Sequence, residues 1–86
     1  MRHKVELSNK CVKFLSKLDE NNRRRIFNKI KSLEESPFPS GCKKLRGAED
    51  VYRIRVGDFR ILYKVIKDEE VILIFKINKR DKVYES

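Results

Sequence analysis

The sequence contains few cysteines, a single histidine and no long apolar segment. Cys11 and Cys42 lie far apart with no CxxC pair, so their spacing favours neither a zinc site nor a disulfide framework. We interpret both as reduced thiols, and Cys11 as a small core residue of a helix. No apolar run approaches the roughly 20 residues of a membrane-spanning helix, and the N-terminus lacks the apolar stretch of a signal peptide. We therefore expect a cytoplasmic protein that does not enter a membrane.

Acidic residues are in the minority, because 13 Asp and Glu stand against 22 Lys and Arg, which gives a formal net charge of +9. An excess of this size favours an anionic partner. Composition alone leaves open a nucleic acid, an anionic membrane or an acidic protein segment, of which the membrane is the least favoured. The 86 residues suffice for one domain with one core, so we expect residues 1–86 to form a single domain.

The N-terminal half predicts a short strand followed by two helices. Val5 and Leu7 alternate with polar residues, and Ser8 offers a helix N-cap. Apolar residues then recur at helical spacing on either side of residues 19–22: Cys11, Val12, Phe14, Leu15 and Leu18, and then Ile26, Phe27, Ile30 and Leu33. Pro37 and Pro39 end the second helix, so we predict an antiparallel helical hairpin. Its outer face carries basic residues that favour solvation, with phosphate contact as the alternative: Arg23, Arg24, Arg25, Lys29 and Lys31.

After Gly47 the apolar period becomes two, which predicts strands at Val51 to Val56, Phe59 to Ile66 and 71–77. Gly57-Asp58 suits a type II′ turn, which pairs Val56 with Phe59 and therefore Arg55 with Arg60. One face of this hairpin is apolar and should cover the helices, and the opposite face is basic: Arg53, Arg55, Arg60 and Lys64. The third strand is apolar on both sides except for Lys76, as a strand inside a sheet would be. We predict an α+β fold that begins with the N-terminal strand. The antiparallel two-helix hairpin packs on one face of a largely antiparallel, roughly four-stranded sheet.

The predicted pairing of Arg55 with Arg60 places like charges directly opposite each other, which is locally unfavourable. Exposed arginines repel weakly in water, so the pair is either unimportant or compensated by a bound phosphodiester, which we favour. More basic residues flank the sheet: Lys43, Lys44 and Arg46 before it, and Lys79, Arg80 and Lys82 after it. Tyr84 offers an aromatic ring for an unstacked base, or anchors the C-terminus to the core. The donors and the ring together suit single-stranded RNA.

Three segments resemble the RelE toxins of the RelE/ParE superfamily: KKLRG at 43–47, VYRIRVGDFRILYKV at 51–65 and KRDKVYES at 79–86. The resemblance extends over nearly the whole chain and implies a single RelE-like toxin domain at 1–86. It also implies an endoribonuclease without metal or other cofactor, which enters the ribosomal A site, contacts rRNA and cuts the mRNA there. A RelB-type antitoxin neutralises such toxins. The only histidine, His3, excludes a mechanism that uses two histidines.

The resemblance also assigns roles to individual residues, with the 2′-hydroxyl of the RNA as the attacking group. It implies that Arg53, Arg55 and Arg60 hold and polarise the scissile phosphate. Arg80 would stabilise or protonate the leaving 5′-oxygen, and Tyr84 would stack on a base. The remaining RNA contacts are expected from Lys43, Lys44, Arg46, Lys64, Lys79 and Lys82.

Well-known RelE toxins carry lysines where this chain has Arg53 and Arg55, and arginine does not give up its proton. The general base therefore stays open between Lys64, Lys79, Lys82 and alignment of the nucleophile by the ribosome. Two other function classes are also weighed. A ParE-like toxin would inhibit DNA gyrase without the Arg/Tyr set, and a regulator would bind RNA without cutting it.

Overall fold

The computed structural model describes residues 3–79, so Arg80, Lys82 and Tyr84 lie outside the described residues. The helices are α1 (Asn9–Ser16) and α2 (Glu20–Leu33). The strands are β1 (Lys4–Leu7), β2 (Lys43–Lys44), β3 (Val51–Val56), β4 (Phe59–Ile66) and β5 (Val71–Lys79), with a short 3-10 turn at Lys67–Glu69. In the described part of the chain neither helix is long and apolar enough to cross a membrane.

Both helices begin at side-chain caps. The Ser8 hydroxyl accepts a hydrogen bond from the Cys11 amide at 3.3 Å, as predicted, and the Asp19 carboxylate accepts one from the Asn22 amide at 3.1 Å. The backbone and side-chain hydrogen bonds from Asn22 lower the pKa of Asp19. Helix α1 ends at Ser16, two residues before the apolar pattern does, because Asp19 already starts the next helix.

The sheet has five strands in the order β1-β5-β4-β3-β2. β1 runs parallel to β5, and the other pairs are antiparallel. The count of roughly four strands was one too low because β2 is only two residues long and its two lysines show no alternation. The predicted β3–β4 register is confirmed, since Val56 lies opposite Phe59 and Arg55 opposite Arg60. Gly57 has a φ of 57°, which the first position of a type II′ turn requires.

The helices cover one face of the sheet, and the buried apolar residues form one cluster between the two layers. From α1 and α2 it receives Cys11, Leu15, Ile26, Ile30 and Leu33, and from the sheet Ile54, Val56, Phe59, Ile61, Tyr63, Val65, Ile72, Ile74 and Ile77. The structure thus confirms Cys11 as a buried core residue, and both cysteines are free thiols. Each of these side chains removes apolar surface from water, which stabilises the folded state by about 25 cal/mol per Å² of buried area.

Tyr63 is the largest fully buried side chain, and its hydroxyl is satisfied within the protein. The hydroxyl donates a hydrogen bond of 2.8 Å to the Pro37 carbonyl, which ties the segment after α2 to the sheet. Its ring stacks on Tyr52 with the ring centroids 5.9 Å apart. Burial, with the nearby Cys42 thiol, raises the pKa of Tyr63 well above the ordinary value of a tyrosine.

A β-bulge interrupts the pairing of β4 with β5. Leu62 lies opposite Lys76 and Tyr63 opposite Ile74, which leaves Phe75 as an extra residue in β5. The bulge reverses the alternation beyond it, because Ile72 and Ile74 are buried before it and Ile77 after it. Lys76 is consequently exposed on the face away from the helices.

Candidate nucleic-acid interface

The sheet face opposite the helices carries two rows of side chains that run across neighbouring strands. The first row joins Arg55, Arg60 and Asn78 on β3, β4 and β5. The second row joins Lys43, Arg53, Leu62 and Lys76 on β2 to β5. We call the seven residues of these two rows the cationic face. Because neighbouring strands lie about 4.8 Å apart, the five basic groups lie within one shared patch of surface.

Arg55 and Arg60 form the centre of the cationic face. Val56 and Phe59 close the two-residue turn, so Arg55 and Arg60 form the next pair, of the type without mutual hydrogen bonds, whose side chains are closer together. Arg55 is exposed and Arg60 is partly buried. Two guanidinium groups therefore project from adjacent strands to the same side of the sheet.

The arginines of the cationic face are not neutralised by carboxylates of the described chain. Among residues 3–79 the ion pairs are Lys4 with Glu6 and Arg24 with Glu20, and neither pair involves this face. The buried Nε of Arg60 has no hydrogen-bond partner there. A buried donor without an acceptor costs about 1–3 kcal/mol, so the fold holds Arg60 in this position at a cost in stability.

A shallow pocket of about 200 Å³ lies beside these arginines, lined by Gly41, Lys43, Arg53 and Arg55. The pairing of β2 with β3 forms it, since Lys43 lies opposite Arg53. The pairing thereby brings Lys43 of β2 beside the two arginines of β3. The pocket wall is basic at three of its four residues and offers donors to an anionic group.

The other predicted RNA-binding residues within the described chain lie elsewhere. Lys64 is on the same side of the sheet but opposite Val51 and Leu73, about 13 Å along β4 from Arg60. Lys44 lies opposite Tyr52, and Lys79 opposite the buried Phe59, so both share the alternation of the helix-facing residues.

Arg46 lies in the loop between β2 and β3 and lines a separate pocket of about 450 Å³. The structure thus brings together Lys43, Arg53, Arg55 and Arg60, and it does not bring Lys44, Arg46, Lys64 or Lys79 onto the cationic face. Within residues 3–79 no group of three or more His, Cys, Asp or Glu side chains could hold a metal ion.

Lys76 and Asn78 belong to the cationic face, and the sequence reasoning did not assign them to it. Strict alternation along β5 would turn Lys76 toward the helices together with Ile72 and Ile74. The bulge at Phe75 instead places Lys76 opposite Leu62 and Asn78 opposite Arg60. A lysine in phase with the apolar residues Ile72 and Ile74 was the available signal of a bulge, since bulges commonly redirect a side chain beside a functional site.

The chain is similar to known toxins over nearly its whole length. The family of the ParE toxin of type II toxin-antitoxin systems matches residues 5–84. A protein named toxin RelE1 from Methanocaldococcus jannaschii is 34% identical over 89 residues, which cover 100% of this chain and 99% of the relative.

Solved structures of RelE proteins share the fold. An archaeal RelE-RelB complex from Pyrococcus horikoshii has a TM-score of 0.85 at 33% identity and covers 96% of this chain and 100% of the matched chain. The RelBE toxin-antitoxin complex of Escherichia coli has a TM-score of 0.79 at 26% identity, with 90% and 95% covered. The matched sequence family, the similar toxins and the shared architecture together show that this chain belongs to the RelE-type toxins of the RelE/ParE superfamily of type II toxin-antitoxin systems.

Proposed function

We propose that the chain is a ribosome-dependent, metal-independent endoribonuclease that inhibits translation by cutting mRNA in the A site. The observation that supports this most directly is the set of arginines on the cationic face, which have no internal carboxylate partners among residues 3–79. An arginine cluster held against its own repulsion suits an anionic ligand, and the planar fork of arginine matches phosphate oxygens. A target on the ribosome implies action in the cytoplasm.

In the proposed reaction the 2′-oxygen of a nucleotide attacks the adjacent phosphorus, and the bond from phosphorus to the 5′-oxygen breaks. Arg53, Arg55 and Arg60 bind the non-bridging oxygens and stabilise the charge that develops on them. Much of the catalysis then comes from orientation and charge stabilisation, and DNA is inert because it has no 2′-hydroxyl.

Two proton transfers complete the reaction. The 2′-hydroxyl loses its proton to a base, and the leaving 5′-oxygen gains one. Arginine does not serve as the base because it effectively never deprotonates, so the base is a lysine near the RNA or a group of the ribosome. We assign charge stabilisation of the leaving 5′-oxygen to Arg80, with the proton supplied by water, and base stacking to Tyr84 on the family resemblance, with Lys82 as a further RNA contact.

The second proposed partner is a RelB-type antitoxin. The RelE relatives from Pyrococcus horikoshii and Escherichia coli form complexes with RelB. An acidic or amphipathic antitoxin would be attracted by the charge of the same cationic face, so RNA and antitoxin would compete there.

The test is translation of a defined message in vitro with the added protein, followed by primer extension to map new 5′ ends. We expect cuts at A-site codons, with Arg60→Ala slowing cleavage by about 10²-fold or more because it removes charge stabilisation at the reacting phosphate. Arg24→Ala is the matched control, since Arg24 lies on α2 and pairs with Glu20. Circular dichroism of both variants checks that the fold is retained.

The ParE family match makes gyrase inhibition the competing function. Supercoiling by purified gyrase is therefore measured in parallel with translation. An uncut message together with blocked supercoiling would replace the nuclease proposal with the ParE-like one. Absence of both effects, with RNA binding retained, would leave the binding function without catalysis.

A further inference from the structure

Helix α2 carries three consecutive arginines just after its first turn, Arg23, Arg24 and Arg25. The contacts of these three arginines separate their roles. Arg23 donates hydrogen bonds from Nη1 to the Leu18 carbonyl at 2.8 Å and to the Leu15 carbonyl at 3.3 Å. These carbonyls belong to the last turn of α1 and the residues after it, so Arg23 caps that end and joins the two helices.

Arg24 also has a partner within the protein. Its Nη2 lies 2.9 Å from Oε2 of Glu20, one helical turn earlier, with both side chains largely exposed. A pair of this kind contributes a few tenths of a kcal/mol to the helix. Arg23 and Arg24 are therefore accounted for by contacts inside the chain.

Arg25 has no such partner among residues 3–79, and its guanidinium lies against the β3–β4 turn. A Cβ atom built on Gly57 would lie 2.9 Å from Nη2, 3.2 Å from Cζ and 3.3 Å from Nη1 of Arg25. The whole guanidinium group thus covers the side of Gly57 that any other residue would fill. The adjacent turn residue Asp58 forms no ion pair with it.

This turn joins the two strands that carry the central pair of the cationic face. Arg55 precedes Gly57 by two residues and Arg60 follows it by three, so Arg25 lies at the same end of the sheet as that pair. Two residues of a strand span about 7 Å, so Gly57, against which the guanidinium of Arg25 lies, is about that far along the hairpin from Arg55. Positive charge therefore continues from the open side of the sheet, over the hairpin turn, to α2.

We infer that Arg25 is a further RNA-binding residue, which contacts a phosphate flanking the bound segment, so that the RNA leaves the cationic face across the β3–β4 turn toward α2. The inference rests on the proposed function, because it needs RNA on the cationic face. Charge on an exposed helix face is ordinarily solvation. Arg25 differs from that case because its guanidinium lies against Gly57, the turn residue without a side chain, at the rim of the arginine cluster.

The experiment measures binding of a fluorescent single-stranded RNA whose 2′-O-methyl groups prevent cleavage, by anisotropy over a series of salt concentrations. The full chain is compared with Arg25→Ala, Arg24→Ala and Arg60→Ala. One phosphate contact to a single strand contributes about 0.7 to the slope of log affinity against log salt. We expect Arg25→Ala to weaken RNA binding about five-fold to ten-fold at low salt. It should also reduce the slope of log affinity against log salt by about 0.7. Arg24→Ala should match the unchanged chain, and Arg25→Lys should restore most of the slope.

Each other outcome decides against the inference. If Arg25→Ala behaves as Arg24→Ala does while Arg60→Ala weakens binding, Arg25 is not an RNA contact and the proposed function stands. If the unchanged chain shows no salt-dependent RNA binding, both proposals fail together. If Arg25→Ala leaves RNA binding intact but weakens binding of a glutamate-rich peptide, the residue serves an acidic protein partner instead. Thermal unfolding of Arg25→Ala controls for stability, and the side chain is exposed.

Discussion

Replacing Arg55 by glutamine should stabilise the free protein, although it removes a residue of the proposed active site. Arg55 lies directly opposite Arg60, and no carboxylate of residues 3–79 pairs with either side chain. Two like charges about 7 Å apart in water repel by about 0.6 kcal/mol, and this repulsion is lost when one of the charges is removed. Glutamine keeps much of the length and polarity of the side chain, so the substitution changes mainly the charge.

The stabilisation expected from Arg55→Gln depends on salt concentration, and this dependence identifies charge repulsion as its cause. At about 0.01 M salt the screening length is about 30 Å, so most of the repulsion remains, whereas at about 1 M it is about 3 Å and little remains. For a domain of this size 1 kcal/mol shifts Tm by about 4–8 °C, so Arg55→Gln should raise Tm by about 2–4 °C at low salt and by less than about 1 °C at high salt. Thermal unfolding followed by circular dichroism at both salt concentrations measures the two shifts.

Arg46→Gln is the matched control, because it removes the same charge from an exposed loop residue away from the cationic face. It should raise Tm less than Arg55→Gln does, since only the general repulsion within a chain of formal net charge +9 is relieved. The same Arg55→Gln protein should cut mRNA at least about ten-fold more slowly, because a phosphate ligand is lost. A lower Tm at low salt, or a gain that high salt leaves unchanged, would refute the claim that the pair is held against its own repulsion.

Two further predictions concern the core and the bulge. Tyr63→Phe should destabilise the protein by about 1–2 kcal/mol in urea at pH 7, since the Pro37 carbonyl loses its donor. The raised pKa of Tyr63 keeps its hydroxyl protonated in the folded state above about pH 10, where the unfolded state ionises, so stability falls as pH rises, by up to about 1.4 kcal/mol per pH unit. Tyr63→Phe should lack this part of the decline, and an unchanged decline would contradict the assignment. Lys76→Gln should weaken binding of the uncleavable RNA and lower its salt slope by about 0.7, whereas Lys67→Gln, on the 3-10 turn away from the cationic face, should do neither.

Local patterns predicted the parts of the fold that depend on neighbouring residues. Gly57-Asp58 determined the register of β3 and β4, and therefore the pairing of Arg55 with Arg60, because a two-residue turn leaves one pairing of the adjoining strands. The sequence also predicted Ser8 as a helix cap, because its hydroxyl accepts a hydrogen bond from an amide only three residues later.

Non-local pairing accounts for what the sequence reasoning missed. β2 exists only because Lys43 and Lys44 meet β3, and two residues carry no periodicity of their own. The Phe75 bulge, and with it the position of Lys76, appears only when β5 is aligned with β4. The separate roles of three consecutive arginines on α2 likewise depend on residues distant in the chain, as the contact of Arg25 with Gly57 illustrates.

The parallel pairing of β1 with β5 joins the two ends of the described chain, with Lys4 opposite Val71 and Leu7 opposite Ile74. A contact between residues so distant in sequence closes late, because the large loop between them must first be ordered. During synthesis β1 leaves the ribosome well before β5, so it has no partner strand until β5 has also emerged. For a protein whose proposed target is translation, the sheet that presents its arginines is completed only after the strands that carry them, β3 and β4, have themselves been translated.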